Sequence, residues 1–64
     1  MENIAGMLDE LERNISRIIH LNEGLLSGTT PDHEIERTEK AISDMRQRNA
    51  EIKRKIIMAK GAAI

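Results

Sequence analysis

SGTTPD, at residues 27–32, is the segment that decides how this chain folds. Gly28 lacks a side chain and can therefore adopt the left-handed conformation that commonly ends a helix. Thr30 suits the N-cap of a following helix, and Pro31 suits its first position. Asp32 and Glu34 fall in the first turn of that helix, where their negative charges interact favourably with the helix dipole. The segment predicts a turn at about residues 28–30 between two helices.

Apolar residues recur at alternating spacings of three and four on both sides of this turn, which is typical of coiled-coil packing. Before the turn, the heptad has Leu8, Ile15 and Asn22 at a positions and Ile4, Leu11, Ile18 and Leu25 at d positions. After the turn, they are Ile35, Thr38, Ile42, Met45, Asn49, Ile52, Ile56, Ala59 and Ala63. Helices joined by so short a turn become antiparallel neighbours. We therefore predict an all-α, antiparallel two-helix hairpin, with helices at about residues 2–27 and 31–60 and a frayed tail at 61–64.

The whole chain, residues 1–64, is predicted to be one domain with a small core. It contains no cysteine, so disulfides cannot stabilise it, and no Phe, Tyr or Trp, the residues that bury the most area. Association with further protein is then the simplest source of additional buried apolar surface. We expect the hairpin to pair with another helical surface.

The first helix carries a wider apolar face than a single partner helix can cover, because the positions flanking its a and d residues are also mostly apolar. The second helix is mostly charged at these flanking positions and would brace the first. We expect the hairpin to dimerise into a four-helix bundle, or to dock on a different helical protein. The predicted interface comprises Met7, Leu8, Leu11, Ile15, Ile18, Ile19, Leu21, Leu25 and Leu26.

Three polar residues at a and d positions are candidates for fixing the register of the helices. Asn22 and Thr38 should lie level with each other and can hydrogen-bond within one chain. Asn49 falls level with Leu11 and is expected to lack a partner within the chain. Two interpretations of Asn49 stay open: it meets a polar group on a second copy or other partner, or it tilts towards solvent.

The sequence contains no pattern that indicates an enzyme, and we predict no catalytic site, cofactor or small-molecule substrate. Carboxylates are numerous but fall on predicted solvated faces, where nothing would separate their pKa values into acid and base roles. His20 and His33 lie at exposed f positions without a second ligand at helical spacing, so we predict no metal site. The predicted function is a protein interaction module: a subunit, an adaptor or a chaperone-like cap.

Binding of RNA or DNA by a hairpin dimer is the alternative function. The net charge is −1, but residues 1–30 carry −3 and the remainder carries +2. Basic residues of the second helix could form a phosphate-facing stripe, namely Arg46, Arg48, Lys53, Arg54, Lys55 and Lys60. The absence of aromatic residues for base stacking and the neighbouring acidic helix both weigh against this function.

The location expected from the sequence is cytoplasmic. No run approaches the roughly 18 apolar residues that a membrane span needs. The first residues also lack the basic and apolar regions of a secretory signal.

Overall fold

The computed structural model of the chain describes residues 3–62, and within this range the protein is an antiparallel hairpin of two helices. Helix α1 spans Ile4–Ser27 and helix α2 spans Ile35–Ala62. A short 3-10 turn, Asp32–Glu34, precedes α2. The predicted all-α hairpin is confirmed. Helix α2 continues through Ala62, beyond the predicted end near residue 60, and the rest of the predicted tail lies outside the described residues.

Helix α1 has a polar cap at its start and a glycine at its end. The Asn3 side chain accepts a hydrogen bond from the backbone N–H of Gly6 at 2.6 Å, which satisfies one of the amides left free in a first helical turn. At the other end, Gly28 has a φ of 75° and donates its N–H to the carbonyl of Gly24. The left-handed Gly28 predicted from the sequence is confirmed.

The turn folds back onto Gly24 and packs closely against it. The carbonyl of Gly24 also accepts the backbone N–H groups of Thr29 at 3.0 Å and Thr30 at 3.2 Å. A Cβ atom at position 24 would stand 2.9 Å from the Thr30 hydroxyl oxygen, closer than such atoms normally approach. Gly24 therefore gives the turn room to close, although it weakens the helix intrinsically.

The predicted start of the second helix is wrong in detail. Thr30 does not cap it, because this residue turns towards Gly24 instead. Pro31 occupies the cap position in an extended conformation, with φ −59° and ψ 145°, and makes no side-chain cap. Its carbonyl accepts the N–H of Glu34 at 2.9 Å, so the helix opens with a 3-10 turn.

Helix α2 packs through the middle of its predicted a and d set, whereas Ile35 at its start and Ala59 near its end are exposed. Ile42, Asn49, Ile52 and Ile56 are all buried, and Ile52 has no exposed surface. Ile52 and Ile56 form the main core cluster together with Met7 of α1. The core is therefore concentrated where the start of α1 meets the second half of α2.

Helix α1 is rotated relative to the prediction. Six of its buried or partly buried residues lie at d and g positions, namely Met7, Leu11, Asn14, Ile18, Leu21 and Leu25, and Asn22 is the only residue at a described a position of α1 that is partly buried. Leu8 and Ile15, which the heptad analysis placed at a positions in the interface, are 49% and 43% exposed. Because g and a lie on opposite sides of d, α1 turns one apolar flank towards α2 and leaves the other towards solvent.

Two asparagines form a side-chain hydrogen bond between α1 and α2. The Asn14 side-chain amide donates to the Asn49 carbonyl oxygen at 3.0 Å. The expectation that Asn49 lacks a partner within the chain is therefore wrong, because Asn14 at a g position supplies the polar group that Leu11, predicted to lie level with Asn49, does not have. Asn22 and Thr38 are both partly buried, but the structure shows no hydrogen bond between their side chains.

We expect the Asn14 and Asn49 side chains to be energetically coupled. Asn49→Leu and Asn14→Leu should each lower the free energy of unfolding, because each leaves a partly buried amide without its partner. The double variant should recover about 0.5–1.5 kcal/mol relative to the sum of the two. Urea denaturation followed by circular dichroism measures this coupling, and strictly additive effects would contradict it.

Candidate interaction surface

Four large aliphatic side chains form an exposed ridge along α1. These residues, called the α1 stripe below, are Leu8, Ile15, Ile19 and Leu26, and they are 49%, 43%, 53% and 88% exposed. They recur at spacings of seven, four and seven, so they share one side of the helix. Two polar residues, Glu12 and Asn22, complete the pattern at the positions between them. The stripe runs about 27 Å along the helix axis.

The structure divides the interface predicted from the sequence into two sets. Five of its nine residues pack against α2 within the chain: Met7, Leu11, Ile18, Leu21 and Leu25. The remaining four are the α1 stripe. The broad apolar face of the first helix is therefore real, but more than half of its residues are used to hold the hairpin together, and only the outer edge is available to a partner.

The molecule is elongated, with extents of 49 × 18 × 15 Å. Its accessible surface is 5186 Å². A compact protein of 7.2 kDa would expose roughly 4,100 Å². The excess, about 1,000 Å², is comparable to the roughly 800 Å² that each partner buries in a standard protein interface. The elongated hairpin therefore exposes more surface than a compact protein of its mass.

Beside the α1 stripe, the two helices form a shallow groove. It is lined by Asn22 and Leu25 from α1 and by Glu39, Ile42, Ser43 and Arg46 from α2. Lys53 and Lys60 follow Arg46 at intervals of seven residues and lie on the same side of α2. The apolar ridge of α1 is thus flanked by a mainly basic edge of α2.

On the opposite side of the hairpin, an ion pair joins the two helices. Arg48 donates from Nε to Glu10 Oε2 at 2.6 Å and from Nη2 to Glu10 Oε1 at 3.0 Å, and it also approaches Glu51 at 3.6 Å. The pair is about one-third exposed. The hydrogen bond from Arg48 lowers the pKa of Glu10, an effect that partial burial opposes. The ion pair places the acidic first half of α1 beside Arg48 of α2.

The six basic residues proposed for nucleic-acid contact do not share one side of α2. Arg46, Lys53 and Lys60 lie along the groove edge. Arg48 and Lys55 are displaced from that edge by about 200° around the helix, since two residues correspond to about 200° of rotation. Arg48 is engaged by Glu10, and Arg54 lies between the two groups. The predicted basic stripe is therefore split around the helix.

The described helices offer neither a metal site nor a membrane-spanning segment. Within residues 3–62, no cluster of three or more His, Asp or Glu side chains could hold a metal ion, and His20 and His33 are exposed. Neither of the described helices combines the length and apolar character that crossing a bilayer requires.

None of the family models, curated proteins or solved structures compared with this chain matches it.

We expect the ion pair to make stability depend on pH. The pKa of Glu10 is lower in the folded than in the unfolded chain, so its contribution is complete above the unfolded-state pKa and disappears as pH falls through the folded-state value. Glu10→Gln should therefore destabilise the hairpin at pH 7 more than at pH 3. Thermal denaturation at both values tests this. In an Arg48→Met background the pH-dependent difference should shrink to the smaller part that Asn14 and Arg13 contribute, and its persistence at full size would show that Arg48 does not cause it.

Proposed function

We propose that this protein is a non-enzymatic interaction module that docks on another helix through the α1 stripe. The observation that carries the proposal is the exposure of Leu8, Ile15, Ile19 and Leu26 along one side of α1. Isolated exposed apolar residues are common on protein surfaces, whereas several large ones aligned at helical spacing are a feature of interaction sites. Burying such a row would contribute roughly 25 cal/mol per Å² removed from water.

The shape of the stripe favours a helical partner over a small ligand. Small-molecule sites are generally concave and enclose most of the ligand. The α1 stripe is a ridge about 27 Å long, and its spacing of four and seven residues matches the anchors by which helices pack on each other. The groove next to it gives a partner helix a second line of contact. These features support a role as a subunit or adaptor that assembles helical bundles.

Nucleic-acid binding has less support than docking on a protein. Its sequence argument depends on six basic residues acting together, and these are distributed around α2, with Arg48 held by Glu10. The two functions differ in their response to salt. Phosphate binding weakens steeply between 50 and 200 mM salt, whereas docking through an apolar stripe does not.

A pair of lysine substitutions tests the proposed function. Ile19→Lys places a charge within the stripe and should weaken association at least tenfold, because burying an unpaired charge is costly. His20→Lys is the matched control: it adds the same side chain one position away, on the exposed outer face of α1. Sedimentation equilibrium measures self-association, and quantitative co-purification from the source cells compares bound proteins between the two variants.

The expected result is loss of association in the Ile19→Lys variant and retention in the His20→Lys variant. Circular dichroism should show equal helicity in both, since the two positions are exposed in the hairpin. If both variants keep the same associations as the unmodified chain, or if neither variant nor the unmodified chain associates with anything, docking through the α1 stripe is wrong.

A further inference from the structure

We infer that the occupant of the α1 stripe is a second copy of this chain, packed so that its α1 runs antiparallel to the first across a twofold axis near Arg17. The inference rests on the proposed function and names its partner and register. Its argument comes from the order of apolar and polar residues along the stripe. It also uses the charges that flank the stripe on α2.

The stripe has the layer pattern of an antiparallel helix pair. Its positions, including the two polar ones, are 8, 12, 15, 19, 22 and 26, and they alternate between spacings of four and three. When two copies of one helix pack antiparallel, the residue numbers of the two members of each facing pair add up to the same value. Each pair then joins a residue from positions 8, 15 and 22 to one from positions 12, 19 and 26. A sum of 34 pairs Leu8 with Leu26, Ile15 with Ile19, and Glu12 with Asn22 of the second copy.

This register matches every position to one of its own kind. The two apolar layers are aliphatic on both sides, and the polar layer joins an amide that can donate to a carboxylate that accepts. Within the described chain, no hydrogen bond or ion pair engages the Glu12 or Asn22 side chains, so both are available for this contact. Because the axis is twofold, the polar layer and both apolar layers occur twice.

Neighbouring registers lack this match. A shift of one heptad in one direction places Glu12 against Ile15 and buries a carboxylate against an aliphatic side chain. A shift in the other direction places Asn22 against Ile19 and leaves Leu8 beyond the end of the partner helix. The order of residues along α1 therefore selects one antiparallel arrangement out of three.

The flanking charges favour α1 against α1 rather than α1 against α2. A dimer could instead cover each α1 stripe with the side of α2 that borders the groove, and this side carries Arg46, Lys53 and Lys60. That arrangement would take cations out of water against aliphatic side chains. Stacking α1 on α1 buries the two apolar ridges on each other and keeps the basic edges at the rim.

Disulfide trapping tests the partner and the register together. The chain contains no cysteine, so each introduced thiol is unique. A Leu8→Cys chain is mixed with a ¹⁵N-labelled Leu26→Cys chain in a glutathione redox buffer, and mass spectrometry identifies the products. In the inferred dimer the two thiols share a layer, within the roughly 7 Å between Cα atoms that a disulfide allows. Each thiol lies about 27 Å along the axis from its own symmetry copy.

The expected result is a mixed disulfide at least tenfold more abundant than either homodimer, together with a sedimentation mass of two chains for the unmodified protein. Homodimers of Leu8→Cys that form as readily as the mixed product would show parallel helices and overturn the register. If the unmodified chain is still a monomer at millimolar concentration, the inference that a second copy is the partner is wrong. Either of these outcomes leaves docking on a different protein open to the Ile19→Lys comparison, so the two proposals fail separately.

Discussion

The hydrogen bond between Asn14 and Asn49 is the contact on which the arrangement of this hairpin depends. Helix α1 has apolar residues on both sides of its d positions, so apolar burial alone would allow it to turn either side towards α2. The buried Asn49 needs a polar partner, and Asn14 on the g side supplies one. The ion pair between Glu10 and Arg48 lies on the same side and favours the same rotation. These two polar contacts therefore favour packing of the g side of α1, rather than its a side, against α2.

The exposure of the α1 stripe is a consequence of that arrangement. Because the g side of α1 packs against α2, Leu8, Ile15, Ile19 and Leu26 are left exposed along one side of the helix. The core that remains within one chain is small, since Met7 is the only apolar residue of α1 among the buried residues described. A chain without aromatic residues or disulfides gains most by covering the exposed row with another helix. Added stability and the proposed function would therefore come from the same surface.

The sequence predicted the architecture well because its signals are local and strong. The break at Gly28 and Pro31 and the heptad spacing of α2 were sufficient to place both helices and most of the α2 core. The rotation of α1 could not be predicted in this way, because a and g positions are both largely apolar and lie symmetrically about d. The pairing of Asn14 with Asn49 was the missed signal: both asparagines were visible, but Asn14 stood outside the assumed interface. The predicted cap at Thr30 is wrong because the backbone N–H of Thr30 bonds to the Gly24 carbonyl at the end of α1, a local contact that the N-cap pattern does not take into account.

Solvent exposure of individual isoleucine methyl groups tests the central claim most directly. In dilute solution, where single chains predominate, a soluble paramagnetic agent accelerates the NMR relaxation of methyl groups according to their exposure. The account predicts a much larger effect at Ile15 and Ile19 than at Ile18 and Ile52. Equal protection of Ile15 and Ile18 would mean that α1 packs through its a and d positions after all, and it would contradict the account.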